Sequence, residues 1–202
     1  VVPFALEGLM EAARNGFSLP VVYNSSGYDG LETLRLLEGV VDVWLPDLRY
    51  SDEETARELS GAAGYVGASR AAVLEMARQV GTDNVMDGEG TIRRGMVVRL
   101  LVLPNDLAGV RETLRFLRDE IGTGLRIALM AQYYPTHDAG RHELLSRGAS
   151  QGEYLRIVEF AERLGFQNAL VQDLEASSFY RPDFQHPSAG EPFADASRFG
   201  TS

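Results

Sequence analysis

The sequence predicts an α/β fold built on a parallel sheet. Three apolar runs carry that expectation: VVYNSSGY at Val21 to Tyr28, VDVWLPDLR at Val41 to Arg49 and MVVRLLVLPND at Met96 to Asp106. Each is rich in β-branched residues, ends in a small polar cluster and precedes a segment of helical period, the alternation that builds parallel sheets. Runs this continuous read as strands covered on both faces, and in such folds ligands gather at the carboxyl ends of the strands. The polar clusters sit at that end.

The elements follow from periodicity and punctuation. Pro3 to Asn15 places Leu6, Leu9, Met10 and Ala13 on one helical face, with Pro3 suited to a first turn and Gly16 as the stop. A strand follows from Leu19 to Asn24. Asp29 with Glu32 has capping-box spacing ahead of Leu34 and Leu37, and Gly39 closes that helix before a strand from Val41 to Leu45. Ser51 with Glu54 repeats the spacing and starts a short helix, after which GAAGYVG reads as a break.

Ser69 then opens a helix whose apolar members Ala72, Val73, Met76, Ala77 and Val80 form one stripe. Asp87-Gly88 between NVM and TIRRG suggests a small hairpin. A strand from Met96 to Leu103 leads to a helix carrying Val110, Leu114, Leu117 and Ile121, and then to a strand from Arg126 to Ala131. After a polar loop, Ser150 with Glu153 gives a third capping box. The helix it starts points Tyr154, Ile157, Val158, Ala161 and Leu164 inward and ends at Gly165, before a last strand from Asn168 to Gln172. Strands in this number form an open sheet, or the later part of a βα barrel whose first strands are missing.

The 202 residues suit one domain, expected over 1–173. From Leu174 onward Pro, Ser, Gly and Asp dominate without periodicity, which predicts a mobile polar tail over 174–202 with docking aromatics such as Phe179, Tyr180 and Phe184. The first residue is Val1, and the first helix has nothing before it to pack against, so a chain cut from something longer is expected.

A formal charge of −10 and an isoelectric point near 4.8 argue against nucleic-acid or anionic-membrane binding. All 19 basic residues are arginine, which excludes Schiff-base and P-loop lysine chemistry in this chain. With no cysteine there is no disulfide, thiol nucleophile or thiolate-bound cluster. No signal segment or membrane-length apolar run is visible, so a cytoplasmic location is expected.

Candidate ligand contacts lie at the strand ends. Asn24, Ser25 and Ser26 can bond hydroxyls, a carboxylate or a cation, or satisfy their own turn. Asp47 and Arg49 lie two apart and share a face if the strand runs through them; they can hold a ligand or each other. Arg99 is a charge inside an apolar run, and a buried charge needs a counter-ion, a ligand or a route to water. Gln132, Tyr133 and Tyr134 can line the same mouth or pack. His137 and His142 lack the helical spacing of zinc motifs, and no metal site is expected. No HExxH, phosphate-binding GxGxxG or nucleophile elbow stands out, and the catalytic residues are left unassigned.

In their order, LPVVYNSSGYDGLETLRLL, VDVWLPDLRYSDEETARELSGA and RRGMVVRLLVLPND resemble the later part of radical S-adenosylmethionine proteins related to the pyruvate formate-lyase activating enzyme. The resemblance continues through IALMAQYYP and GEYLRIVEFAERLG to about Asp173. It implies a partial βα (TIM-like) barrel of parallel strands with outer helices and its N-terminal strands missing. It further implies S-adenosylmethionine at the strand ends, cleaved reductively to a 5′-deoxyadenosyl radical.

By position, Asn24 and Ser25 match a polar pair near the nucleoside and a cation, with Asp in place of Asn24. Asp47 and Arg49 match an acidic and a basic S-adenosylmethionine contact, the latter lysine in the activating enzyme. Arg99 matches an arginine near the methionine carboxylate, and Tyr133 falls where that enzyme has histidine. The family's [4Fe-4S] cluster is held by a CxxxCxxC loop that would precede Val1, so its ligands are absent here and the fragment alone is expected to be inactive. The implied partner is a protein that receives a radical. A non-catalytic small-molecule or nucleoside-binding module, and an unrelated βα-barrel hydrolase or lyase, are the alternative readings.

Overall fold

A computed structural model describes residues 2–172; Val1, Asp173 and the expected tail at 174–202, with Phe179, Tyr180 and Phe184, lie outside the described residues. The helices are α1 (Val2–Arg14), α2 (Leu31–Leu36), α3 (Glu53–Ser60), α4 (Tyr65–Val80), α5 (Val110–Glu120) and α6 (Gln151–Leu164). The strands are β1 (Val22–Ser25), β2 (Val43–Pro46), β3 (Val85–Met86), β4 (Ile92–Leu101), β5 (Arg126–Met130) and β6 (Ala169–Val171).

The sheet runs β1-β2-β4-β5-β6 with every neighbour in that series parallel, and the hairpin strand β3 pairs antiparallel with β4. Each parallel strand lies beside the next one in the chain, so the order never reverses, and among the described residues β1 and β6 are edges and the sheet is not closed.

Strand alternation divides the side chains between two faces. Trp44, Met96, Val98, Leu100, Ile127 and Leu129 lie on one face, fully buried, in a single core with Leu34 of α2, Met76 of α4, Leu114 of α5 and Ile157 of α6. The Tyr154 hydroxyl donates to the Leu129 carbonyl at 2.7 Å and pins α6 to β5. The opposite face stays more open, with Val22 and Leu170 53% and 50% exposed. Cover on both faces is therefore corrected to helix cover on one. The apolar runs owe their continuity on the second face to Val43 and Val97, buried near the amino ends, while positions toward the carboxyl ends border an open mouth.

The three capping-box spacings have three outcomes. Ser150 and Glu153 form the reciprocal box at the start of α6. Ser51 does not cap α3; Asp52 does, accepting from the Thr55 amide at 2.7 Å. Asp29 caps nothing, because α2 begins after Gly30 without a side-chain cap and the Asp29 carboxylate is engaged by β1. The start of α4 moves from Ser69 back to Tyr65, since Gly61 and Gly64, both left-handed, confine the break to two alanines. Tyr65 and Val66 are then buried with Ala56 of α3. The apolar face of α1 is only partly covered: Leu6 packs against the core, no residue of the helix is fully buried, and Met10 is 56% exposed. No helix among the described residues is long and apolar enough to cross a membrane.

Candidate functional site

The charge inside the third apolar run finds its partners at the ends of two neighbouring strands. Asp47, just past β2, forms a parallel bridge with Arg99 of β4, and the Leu48 amide donates to the Arg99 carbonyl at 3.0 Å. That register puts both side chains on the open face. The Arg99 Nε donates to Asp47 Oδ1 at 2.7 Å, and its Nη2 donates to Asn24 Oδ1 of β1, also at 2.7 Å. Arg49 Nη2 donates to the other carboxylate oxygen of Asp47 at 3.3 Å. Asp47 is thus the counter-ion that a partly buried guanidinium requires.

Asn24, Asp47, Arg49 and Arg99 come together; Ser25 does not join them. Successive strand residues point to opposite faces, and the Ser25 hydroxyl donates to Asp29 Oδ2 at 2.6 Å while accepting from the Gly27 amide. The Tyr23 hydroxyl donates to the other Asp29 oxygen at 3.2 Å. Burial, reinforced by that carboxylate, raises the Tyr23 pKa above the usual phenol value.

Two residues bring the strand ends into register. Gly27 has φ +72°, and a Cβ there would lie 2.6 Å from the Asp47 carbonyl oxygen, so the loop after β1 approaches β2 as only glycine allows. The buried Tyr65 hydroxyl accepts from the Arg49 amide at 2.8 Å and lies 2.9 Å from the Ser26 carbonyl and 3.0 Å from that of Asp47, to which it donates. Burial pushes its pKa up to about 12. Sequence reasoning missed Tyr65, which lies in the GAAGYVG segment that reads as a break ahead of Ser69.

Asp47, Arg49 and Arg99 line a cavity of about 460 Å³ together with Leu101, Leu103, Met130 and Leu145. Tyr133 also lines it; its hydroxyl donates to the Leu145 carbonyl at 2.9 Å, and burial raises its pKa. Gln132 lines it too and accepts from Gln172 past β6.

His137 and His142 stand apart from this group. His137 pairs with Asp138, and His142 lies 3.7 Å from Glu58. No group of three His, Cys, Asp or Glu placed to hold a metal occurs among the described residues. Gly148-Ala149-Ser150-Gln151-Gly152 carries the letters of a GxSxG elbow, which corrects the expectation that this signature is absent. Ser150 is instead the cap of α6, and its hydroxyl is engaged by Glu153.

No family model matches the chain. It is 28% identical over 147 residues to an uncharacterized protein of Methanocaldococcus jannaschii, a match covering 72% of this chain and 39% of that relative. The matched part therefore spans about two fifths of the relative's length.

Proposed function

We propose that this chain supplies an S-adenosylmethionine-binding wall, as the C-terminal part of a radical S-adenosylmethionine enzyme of the activating type. One observation supports this reading most: Asn24, Asp47, Arg49 and Arg99, contributed by three neighbouring strands, meet at the carboxyl end of the sheet beside a cavity. Arg99 uses Nε and Nη2 internally, and its Nη1, which has no hydrogen-bond partner among the described residues, would serve the methionine carboxylate. Asp47, held between two guanidiniums, keeps lone pairs for ribose hydroxyls. The sequential strand order favours reading the open sheet as an arc of a βα barrel, whose ligands lie at this end.

A [4Fe-4S] cluster does not fit these residues, because the chain has no cysteine thiolate to hold it. Under this reading the thiolates come from outside the 202 residues, and the chain binds the nucleoside without cleaving it. The same reading places the protein in the cytoplasm and gives it a protein partner that receives a radical.

Calorimetric titration of the chain with S-adenosylmethionine tests the proposal. Saturable binding is expected, weakened at least tenfold by Arg99→Gln in a variant that keeps the wild-type circular dichroism. Absence of binding to the wild-type chain, or equal affinity in the folded variant, overturns it.

A further inference from the structure

The cavity has an apolar lining that the cofactor reading leaves unused, and we infer that it binds the apolar body of an amphipathic anion, such as an alkyl or aryl carboxylate, whose head reaches Arg49. The inference does not rest on S-adenosylmethionine, whose carboxylate falls to Arg99. It rests on what the lining can still offer a ligand.

Besides its charged residues the cavity is lined by Leu59, Leu101, Leu103, Met130, Ala139 and Leu145, with Leu101 and Met130 paired at the last positions of β4 and β5. Gln132 and two tyrosines also line it; the Gln132 amide oxygen accepts from Gln172, and both tyrosine hydroxyls are engaged within the protein. Tyr50 bonds Ser60 at 2.7 Å, and Tyr133 donates to Leu145. A polar group placed there would lose water without gaining a partner, which is costly, whereas an apolar group would gain by leaving water.

The lining also carries two guanidiniums, Arg49 and Arg99, against the single carboxylate of Asp47. Arg49 is the freer of the two. Among the described residues its one side-chain hydrogen bond is the 3.3 Å contact with Asp47, and its side chain is 51% exposed. Arg49 follows β2 and Met130 ends β5, with β4 between them, so the excess positive charge lies toward one side of a largely apolar lining, which selects a molecule with a negative head and an uncharged body over a cation or a dianion.

Calorimetry on the full chain with butyrate, hexanoate, octanoate and octylammonium tests this. Affinity is expected to rise about three- to fourfold per added methylene, with octylammonium binding at least tenfold more weakly than octanoate. Arg49→Gln, at an exposed side chain, should weaken octanoate at least tenfold and reduce its preference over octylammonium. Leu101→Asn should flatten the dependence on chain length in a protein that melts at a similar temperature. No binding of octanoate at millimolar concentration, affinity independent of chain length, or equal affinity for the amine overturns the inference.

Discussion

Arg99 and Asp47 are separated by 52 residues in sequence and by 2.7 Å in the fold, one on β4 and the other just beyond β2. Their side chains are 27% and 15% exposed, so the pair is neither a solvated surface bridge nor a fully buried one. Its strength follows from the backbone bridge beneath it, which fixes both Cα positions before either side chain closes.

Breaking the pair from either side should cost about 1.5–3 kcal/mol of stability, the range for a hydrogen bond to a charged group. Arg99→Gln, Asp47→Asn and the double variant form a cycle, read by urea denaturation. A coupling of at least about 1 kcal/mol is expected. Additive effects would mean that the two side chains act independently in solution.

Tyr65→Phe removes the hydroxyl that serves the Arg49 amide and the two carbonyls, and should destabilise the protein by about 1–3 kcal/mol. The pH dependence has a definite sign. The folded pKa is raised to about 12 from 10.0, so between those values the unfolded chain loses the proton first. Stability should fall across that window, by up to about 1.4 kcal/mol per pH unit from this residue. Tyr65→Phe should remove that share of the slope, while the other tyrosines keep theirs.

Gly27→Ala and Gly39→Ala separate strain from collision. Both glycines have positive φ, +72° and +78°, but a Cβ at Gly39 meets nothing within 4 Å. The Gly39 variant should cost about 1–2 kcal/mol from backbone conformation alone. Gly27→Ala should cost more, because the Asp47 carbonyl must move away, and it should also weaken any ligand held by Asp47. Equal melting temperatures for the two variants would count against that close approach.

Glu153 joins the capping box to Arg147, which donates to both of its oxygens at 2.7 and 2.9 Å, and these bonds hold its carboxyl well below the usual carboxylate range. Glu75, bonded by Arg78 and Gln79, is likewise lowered from 4.5 to about 2. A depressed folded pKa gives stability that is present above the unfolded value and lost as pH falls toward the folded one. Glu75→Gln should therefore flatten the loss of stability between pH 4.5 and 2, and Glu153→Gln should flatten the acid limb further. Ser150→Ala should cost about 1 kcal/mol at every pH where the box forms.

Much of this molecule was legible along the chain, because helix stripes, strand runs and stop glycines are local properties. Leu114 and Leu117 on α5, and Tyr154, Ile157 and Ala161 on α6, are buried as their spacing implies. The hairpin at Asp87 forms, and its carboxylate accepts the Glu89 and Thr91 amides. Spacing alone did not identify caps. The Ser150, Ser51 and Asp29 patterns look alike, but a short polar side chain bonds whichever donor the neighbouring elements bring within reach. Asp29 was claimed by Tyr23 and Ser25, and Asp52 was better placed than Ser51.

The sequence by itself determined which segments become strands and helices, which residues avoid water, and that a lone arginine in an apolar run must find a partner. Only the tertiary structure decided who that partner is. Pairing β2 beside β4 put Asp47 opposite Arg99, β1 added Asn24 while strand parity turned Ser25 away, and a tyrosine of α4 locked the strand ends. The division has a physical cause: propensity and periodicity act over a few residues, whereas the partner of a charge depends on strand register, which no segment contains alone.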